Sequence, residues 1–348
     1  MTQTFACLGR ATGQFTSARL DLVAAALRAH SLSFERSDTA LRGTGDQGHF
    51  DIAQDGDDFT VTVTGADKPM LFALQGQIVH IIDHSDPDLV KQLAWSGTLP
   101  DQGPPVNFRL ATVIATSRPF AQFCRVTLQI ENVAYFTNGG MHFRLLLPPA
   151  GRAPVWPFVD ATGRTRFPTG DDALHNPVYT FVAIDIDRNQ FTFDVFIHAG
   201  GRITEWVLAA QVGDTIGMMG PGGGKMPDAQ QIVLAGDETA LPAIRRILQT
   251  LDSNATGRAL IEVQSPADIQ ALEHPSGVDV TWLIRGKDAC PVETMLSHYS
   301  DVTPQTAPFL WCGAEKSKVQ RARAYFRDTC GITTEQSYFS GYWRKPPA

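Results

Sequence analysis

Gln231-Ile-Val-Leu-Ala-Gly-Asp-Glu-Thr-Ala-Leu-Pro-Ala-Ile-Arg-Arg-Ile-Leu248 begins as a short apolar strand and becomes an amphipathic helix after Gly236. Gly236 permits a tight turn, and Asp237 or Thr239 can cap the helix start. Pro242 falls early in the helix, where its missing N–H costs little. The exposed N–H groups at such a helix start face any ligand at the strand end. Asp237 and Glu238 would repel phosphate, so a nucleotide held here should be contacted through backbone or through its nicotinamide ribose. No G-x-G-x-x-G fingerprint follows the strand. Further along, Arg258–Val263, Val278–Ile284 and Phe309–Cys312 are apolar strand candidates, and Ala314–Asp328 has a long helical pattern. Strand alternating with helix predicts a parallel α/β sheet over residues 229–348.

Upstream, residues 107–225 read as many short strands: Phe108–Thr116, Phe123–Ile130, Phe143–Leu147, Val178–Asp185, Gln190–Phe196 and Thr215–Met219. Strands without long helices between them predict a small β-barrel. A barrel can carry a flavin on its rim, and the crevice at the carboxyl ends of parallel strands can carry a nicotinamide nucleotide. That order suits hydride transfer across a cleft. Residues 1–100 form a third region. The apolar residues Leu20, Val23, Ala24 and Leu27 share a face of a helix over Ser17–Ala29. Gly48–Ala53 and Asp58–Thr64 alternate like paired strands, and Pro69–His84 is a second helix. This predicts a small α+β domain, joined through a Pro/Gly-rich linker at Ser96–Val106.

Composition narrows the partners. A net charge of −7 argues against nucleic acid. The five cysteines, Cys7, Cys124, Cys290, Cys312 and Cys330, show no CxxC spacing, so neither a zinc knuckle nor a disulfide framework is expected. The polar N-terminus is not a signal peptide, and no apolar run is long enough to span a membrane. A cytoplasmic location is the resulting expectation.

Several short motifs carry candidate chemistry. In Val178-Tyr179-Thr180-Phe181 a strand puts Tyr179 and Phe181 on one face and Thr180 on the other. Tyr179 can flank an isoalloxazine and Thr180 can hydrogen-bond it; an ordinary β pair reads the same way. Ile197-His198-Ala-Gly200-Gly201-Arg202-Ile-Thr204-Glu-Trp206 ends a strand and enters a short helix at Trp206–Ala210, with Thr204 as its cap. Backbone N–H groups there could hold a pyrophosphate, or the segment is simply a capped turn. Gly220–Lys225 fails as a P-loop, because Met226 stands where Ser or Thr must bind Mg²⁺. His80 and His84 have metal-ligand spacing on a helix but no third ligand, so no metal site is expected and surface histidines are the plainer reading. Ser and His are scattered without a nucleophile motif. The C-terminal Ser340-Gly-Tyr342-Trp343-Arg344-Lys345 joins rings to cations, able to cover a flavin and attract an anionic chelate, or to fray as a basic tail.

From about Arg109 to Lys345 the chain resembles the siderophore-interacting proteins, a branch of the ferredoxin-reductase-like flavoproteins. The resemblance rests on Arg118-Pro-Phe…Arg125-Val-Thr-Leu, Met141-His-Phe-Arg-Leu-Leu-Leu-Pro148, Tyr179-Thr180, His198…Trp206, and Val212-Gly-Asp214…Gly220-Pro221. Leu234–Ile244, Trp311-Cys-Gly-Ala-Glu315 and Gly341-Tyr-Trp-Arg344 complete it. It implies three regions: an extra N-terminal α+β domain of unknown function at 1–100, an FAD-binding Greek-key β-barrel at 107–225, and an NAD(P)H-binding α/β domain at 229–348. It implies an FAD-dependent oxidoreductase that uses NADPH or NADH to reduce a ferric siderophore and release Fe(II). The cofactor residues would be Tyr179, Thr180, His198, Gly201, Arg202, Thr204, Trp206, Gly236, Asp237, Thr239, Ala240, Glu315 and Trp343. Arg144, Arg344 and Lys345 would face the siderophore, and no side-chain acid or base is required. The family usually has Arg two residues before and two after the Tyr. Here Asn176 and Val178 precede Tyr179, and Phe181 and Val182 follow it, so Arg202 is the substitute cation for the flavin phosphates. That departure keeps open a siderophore-binding protein without flavin, and a flavin reductase with another acceptor is a third reading. Strand 258–263 ends at Gln264-Ser265 rather than at an acid; Ser265 or Arg321 could take a 2′-phosphate, which points towards NADPH.

Overall fold

The computed structural model describes residues 4–345 except 14–16, 31, 46, 100–101, 138, 161–163 and 225. Lys225 of the rejected P-loop, the last three residues of the tail and the side chain of His84 thus lie outside the described residues. The chain divides into two compact units, Met1–Phe108 with Pro148–Leu174, and Arg109–Leu147 with His175–Ala348.

In the first unit the elements run β1 (Phe5–Thr12), α1 (Ser17–Ala29), β2 (Glu35–Arg36), β3 (Ala40–Gly45), β4 (Gly48–Asp55), β5 (Asp58–Gly65), α2 (Lys68–Ser85), α3 (Pro87–Gln92) and β6 (Ala94–Gly97). The strands form one antiparallel sheet in the order β2-β3-β4-β5-β1-β6. Alternation in β5 turns Phe59, Val61 and Val63 inward against Leu20, Val23, Ala24 and Leu27 of α1 and Leu71, Leu74 and Ile78 of α2. The helix α2 starts where its sequence says it should: Asp67 accepts from Met70 N–H at 2.7 Å, and Pro69 lies in the first turn. The expected linker does not begin at Ser96, because Ala94–Gly97 pairs with β1 as an edge strand. Segment 148–174, which the sequence assigns to the barrel region, belongs to this unit and contains the hairpin β10 (Phe158–Val159) and β11 (Thr165–Arg166).

The second unit contains two sheets. The first has β7 (Phe108–Phe120), β8 (Phe123–Ile130), β9 (His142–Leu146), β12 (Val178–Thr180), β13 (Ala183–Asp185) and β14 (Gln190–Phe196). After the helix α4 (Arg202–Ala209), β15 (Thr215–Gly222) completes it, in the order β12-β9-β15-β7-β8-β14-β13. Phe143 on β9 packs against Phe191 and Phe193 on β14, although three strands separate these two along the sheet. The sheet therefore curls around its own apolar core. The expected strand Val178–Asp185 is broken after Thr180. There Val182 N–H leaves the ladder for Thr192 O, and Phe181 drops fully into the core.

The second sheet is parallel throughout. It holds β16 (Gln231–Gly236), α5 (Leu241–Thr250), β17 (Thr256–Val263), β18 (Gly277–Ile284), α6 (Pro291–His298), β19 (Phe309–Glu315), α7 (Lys316–Arg323) and β20 (Ser337–Trp343). The strand order is β18-β17-β16-β19-β20. The chain winds outward from β16 to β18, then returns to the other side of β16 with β19. The order reverses between β16 and β19, the place where open α/β sheets bind ligands at their carboxyl ends. The C-terminal motif is no frayed tail: Ser337–Trp343 is a ladder strand beside β19.

Candidate functional site at the carboxyl ends of the parallel sheet

Gly236 ends β16. A Cβ there would stand 2.6 Å from the Cβ of Ala240 and 2.9 Å from the carbonyl of Gly313 on β19, so only glycine fits. The tight turn delivers Asp237, which is 4 % exposed. Its Oδ1 accepts from Thr239 N–H at 3.0 Å and Thr239 Oγ1 at 2.5 Å, and its Oδ2 accepts from Trp343 Nε1–H at 2.7 Å. Burial pushes the carboxyl above the ordinary range while the Thr239 and Trp343 bonds oppose the shift. The helix α5 starts instead at Leu241, with Ala240 in the N-cap position and no side-chain cap. The expectation that Asp237 or Thr239 caps α5 is thus corrected: Asp237 is consumed by its own turn and by the last strand. Glu238, also buried, pairs with Arg285, which bonds Glu262 as well, at 2.7 Å.

Glu315, at the end of β19, caps α7 by accepting from Ser317 N–H at 2.9 Å and Lys318 N–H at 3.2 Å. A further bond from the Ser317 hydroxyl is the main cause holding its carboxyl down to about 2. Its other oxygen faces Lys345 N–H at 3.5 Å.

The antiparallel sheet meets this edge through β12. As the alternation predicted, Tyr179 lies against Phe143 and Phe193, at ring distances of 6.4 and 5.2 Å, while Thr180 faces the other way. Thr180 Oγ1 is 3.1 Å from His142 Nδ1, and His142 Nε2 is 3.1 Å from the Tyr342 hydroxyl. His142 is 3 % exposed; burial, with the Arg246 charge nearby, takes its pKa down to about 4, so the ring is neutral near pH 7. Arg246 itself donates to the carbonyl of Phe181 at 2.8 Å. Thr180, His142 and Tyr342 therefore form one line of side-chain contacts linking the two sheets, and the next residue of β20, Trp343, carries it through the backbone to Asp237. His142, Tyr342 and Arg246 were not chosen as site residues from the sequence. His142 stands inside the quoted Met141–Pro148 motif, and burial of a histidine between motifs cannot be read from spacing.

A second cluster surrounds the start of α4. Gly201 is its N-cap and carries no side-chain bond, leaving the first N–H groups of the helix without a cap. Gly200 has φ +74° and open space where a Cβ would project, whereas a Cβ on Gly201 would come within 2.8 Å of His198 Nε2. Arg202 is exposed at the first helical position, and its charge helps to lower the pKa of His175, after desolvation. Thr204 does not cap a later helix at Trp206–Ala210. It lies in the first turn of α4, where its Oγ1 accepts from His198 N–H at 3.3 Å, because the helix starts four residues earlier. Trp206 packs half-buried on the core of the antiparallel sheet.

Arg144 is exposed on β9, reaching the Asn176 carbonyl at 3.4 Å, and Arg344 and Lys345 are exposed just beyond β20. Both groups expected to favour a 2′-phosphate are engaged: Ser265 Oγ donates to Asp268 at 2.8 Å, and Arg321 pairs with Glu293. Among the described residues no three His, Cys, Asp or Glu side chains gather as metal ligands, and no helix is long and apolar enough to cross a membrane.

Comparison with known proteins places this geometry in a family. Residues 112–225 match the siderophore-interacting FAD-binding domain and residues 229–346 the siderophore-interacting protein family. The NADPH-dependent ferric-chelate reductase of Escherichia coli is 31 % identical over 234 residues, covering 64 % of this chain and 87 % of the relative. The ferric vibriobactin reductase of Vibrio cholerae is 30 % identical over 240 residues, covering 64 % and 83 %. The crystal structure of a siderophore utilization protein from T. fusca superposes with a TM-score of 0.60 at 28 % identity, over 71 % of this chain and 96 % of that one. The chain belongs to the siderophore-interacting protein family, with an FAD-binding domain followed by the domain that gives the family its name.

Proposed function

We propose that this chain is an FAD-dependent reductase that takes hydride from NADPH or NADH and passes electrons to the iron of a ferric siderophore. In this reading residues 107–225 are a Greek-key β-barrel holding FAD, residues 229–348 hold the nicotinamide nucleotide, and the pair is ferredoxin-reductase-like. Residues 1–100 are an added domain to which no activity is assigned. A cytoplasmic location goes with the reading, since NAD(P)H is an intracellular reductant.

The residues present fit FAD at its diphosphate. The α4 N-terminus has no side-chain cap, Gly200 leaves open space beside it, and Arg202 adds a cation. N–H groups and positive charge at a helix start are what a diphosphate requires. Arg202 thus stands in for the guanidinium groups missing around Tyr179. At the ring end, Thr180 Oγ1 already contacts His142, and a hydroxyl retains further hydrogen-bonding capacity for a ring amide or carbonyl. Tyr179 would flank the ring.

When bound, FAD converts a two-electron hydride donor into one-electron steps. The chain's own work is positional. His142, neutral and buried, holds the Thr180 hydroxyl in place. The stacked pair Trp311 and Tyr338, with Tyr342 edge-on to Trp311, keeps water out of the joint between the sheets. Gly236 and Gly313 let backbone approach the switch point closely. Hard oxygen chelators bind Fe(II) far less well than Fe(III), so reduction frees the metal without acid or base from the protein.

The observation that carries the proposal is the run of contacts from Thr180 through His142 to Tyr342 on β20, whose next residue, Trp343, meets Asp237 at the switch point. The test is an absorbance spectrum of purified protein with added FAD, before and after anaerobic NADPH, then after a ferric chelate. Flavin bands that bleach with NADPH and return with the chelate support the proposal; protein that stays colourless refutes it. A second reading, a siderophore-binding protein without flavin, is favoured by one observation: β12 bears no guanidinium and its threonine is already engaged. It predicts chelate binding by colourless protein.

A further inference from the structure

We infer that Asp237 and Glu315 are positioning residues, which fix the C-terminal Trp343-Arg344-Lys345 as the recognition surface for the anionic ferric chelate. The inference rests on the reductase reading for its substrate, and it concerns how the chelate, not the coenzyme, is held.

The sequence poses the problem. Carboxylates at the ends of β16 and β19 repel the phosphates of a dinucleotide, yet both occur there. The structure shows what they do instead. Asp237 has spent both oxygens, on Thr239 and on the Trp343 indole. Glu315 has spent one oxygen on the start of α7 and turns the other to the Lys345 backbone. The two acids therefore hold alternate residues of the same terminal segment, 343 and 345.

That segment needs holding. The ladder between β19 and β20 shifts register after Ala314–Gly341 and ends with the pair Glu315–Trp343. Arg344 and Lys345 lie beyond the last strand residue. Without side-chain ties, the chain past Trp343 would be free to fray. With them, an indole that is 38 % exposed and two exposed cations occupy fixed positions in sequence. Aromatic surface beside guanidinium and ammonium suits an anionic chelate with planar ligand groups, and pre-set side chains lose less entropy on binding. In a protein of net charge −7, a small fixed cationic patch is also where such an anion is drawn.

The test uses full-length, flavin-free protein and a ferric tris-catecholate complex as probe, so it does not depend on FAD. Binding is followed by tryptophan quenching, with Trp343→Phe subtracted to isolate the Trp343 signal. Asp237→Ala should shift Trp343 emission to the red and raise Kd roughly tenfold, the effect of losing one buried charged hydrogen bond. In the Trp343→Phe background, which has no indole N–H for Asp237 to hold, Asp237→Ala should change Kd by less than about twofold, read by calorimetry. A tie that only stabilises the fold would leave chelate Kd and Trp343 emission unmoved in Asp237→Ala, and that result overturns the inference. So does an equal effect of Asp237→Ala in the wild-type and Trp343→Phe backgrounds. Should Asp237→Ala not fold, Glu315→Ala asks the same question of the Lys345 end against Ser317→Ala, which loses only the hydroxyl bond to Glu315 and keeps the Lys345 tie: weaker binding in the first and near-wild-type binding in the second is expected, and equal binding in both overturns it. Failure of the reductase reading would appear separately, as absence of flavin binding.

Discussion

The buried imidazole of His142 should make the second unit sensitive to mild acid. An unperturbed histidine titrates near 6.5, and in the folded protein burial and Arg246 lower this to about 4. The folded state thus favours the neutral ring. The stabilisation is fully present above about pH 6.5, where the unfolded chain is also neutral, and is lost as pH falls towards 4. A shift of about 2.5 units corresponds to roughly 3 kcal/mol in all, of which about 2 kcal/mol is gone by pH 5. With a urea m-value of about 2–3 kcal/mol/M, the midpoint should drop by roughly 0.7–1 M between pH 7 and pH 5. The control is His142→Phe. It should be less stable at pH 7 by about 1–3 kcal/mol, since the Thr180 and Tyr342 hydroxyls lose a buried partner, but it should lose less further stability with acid. His175, whose pKa is also lowered, titrates in both proteins, so the difference in slope isolates His142. Parallel urea-midpoint curves for the two proteins from pH 7 to 5 would refute the assignment of a neutral, buried His142.

Other outcomes follow from the same geometry. Asp194→Ala removes the carboxylate that bonds Arg125 at 2.7 and 2.8 Å and Arg245 at 3.1 Å, leaving a buried cation unpaired; urea unfolding should show a loss of about 3–5 kcal/mol. Gly236→Ala forces a Cβ against Ala240 and the Gly313 carbonyl and should cost about 1–3 kcal/mol by the same measurement. Arg202→Ala should weaken FAD binding roughly tenfold, read by flavin fluorescence, and should flatten its salt dependence. The Glu315 carboxyl, lowered from 4.5 to about 2, contributes stability above its unfolded pKa that is lost as pH falls through about 2, and Glu315→Gln should abolish that part of the acid titration.

Much of the architecture was legible because local pattern and burial agree. The strands Phe123–Ile130 and Gln190–Phe196 have the predicted bounds, since alternating residues there line the apolar core on one side. The helix face Leu20, Val23, Ala24 and Leu27 is wholly buried, as its spacing required. What escaped is non-local. The strand β1 reads as a polar N-terminus because its fully buried residues, Cys7, Gly9 and Ala11, are small and carry a weak signal, with Phe5 only partly buried on the same core. The strand β20 reads as the end of the chain because its pairing with β19 is invisible in its own sequence. Segment 148–174 joins the first unit by contacts that no spacing encodes. At the site, residue identity was informative but role was not. Asp237 and Thr239 look like helix caps, and only the fold reveals a tryptophan more than a hundred positions away claiming the carboxylate.

That long-range bond belongs to a wider arrangement that makes the two sheets of the second unit mechanically one. Arg245 on α5 reaches across to Asp194 on β14, whose carboxylate is fully buried and also grips Arg125 on β8. Its neighbour Arg246 caps the Phe181 carbonyl where β12 leaves the ladder. Buried ion pairs contribute little net stability, because desolvation offsets most of their attraction. They do penalise alternatives: any sliding of α5 over the antiparallel sheet would strand Asp194 and Arg245 as uncompensated charges, at a cost of several kcal/mol. A contact made only of apolar side chains would tolerate such sliding far better, since hydrophobic attraction has no direction. For a protein whose proposed chemistry moves electrons between ligands held by different sheets, the separation of the two binding edges matters more than the total stability. The charged pairs, beside an Arg246 whose charge also reaches His142, hold that separation against sliding.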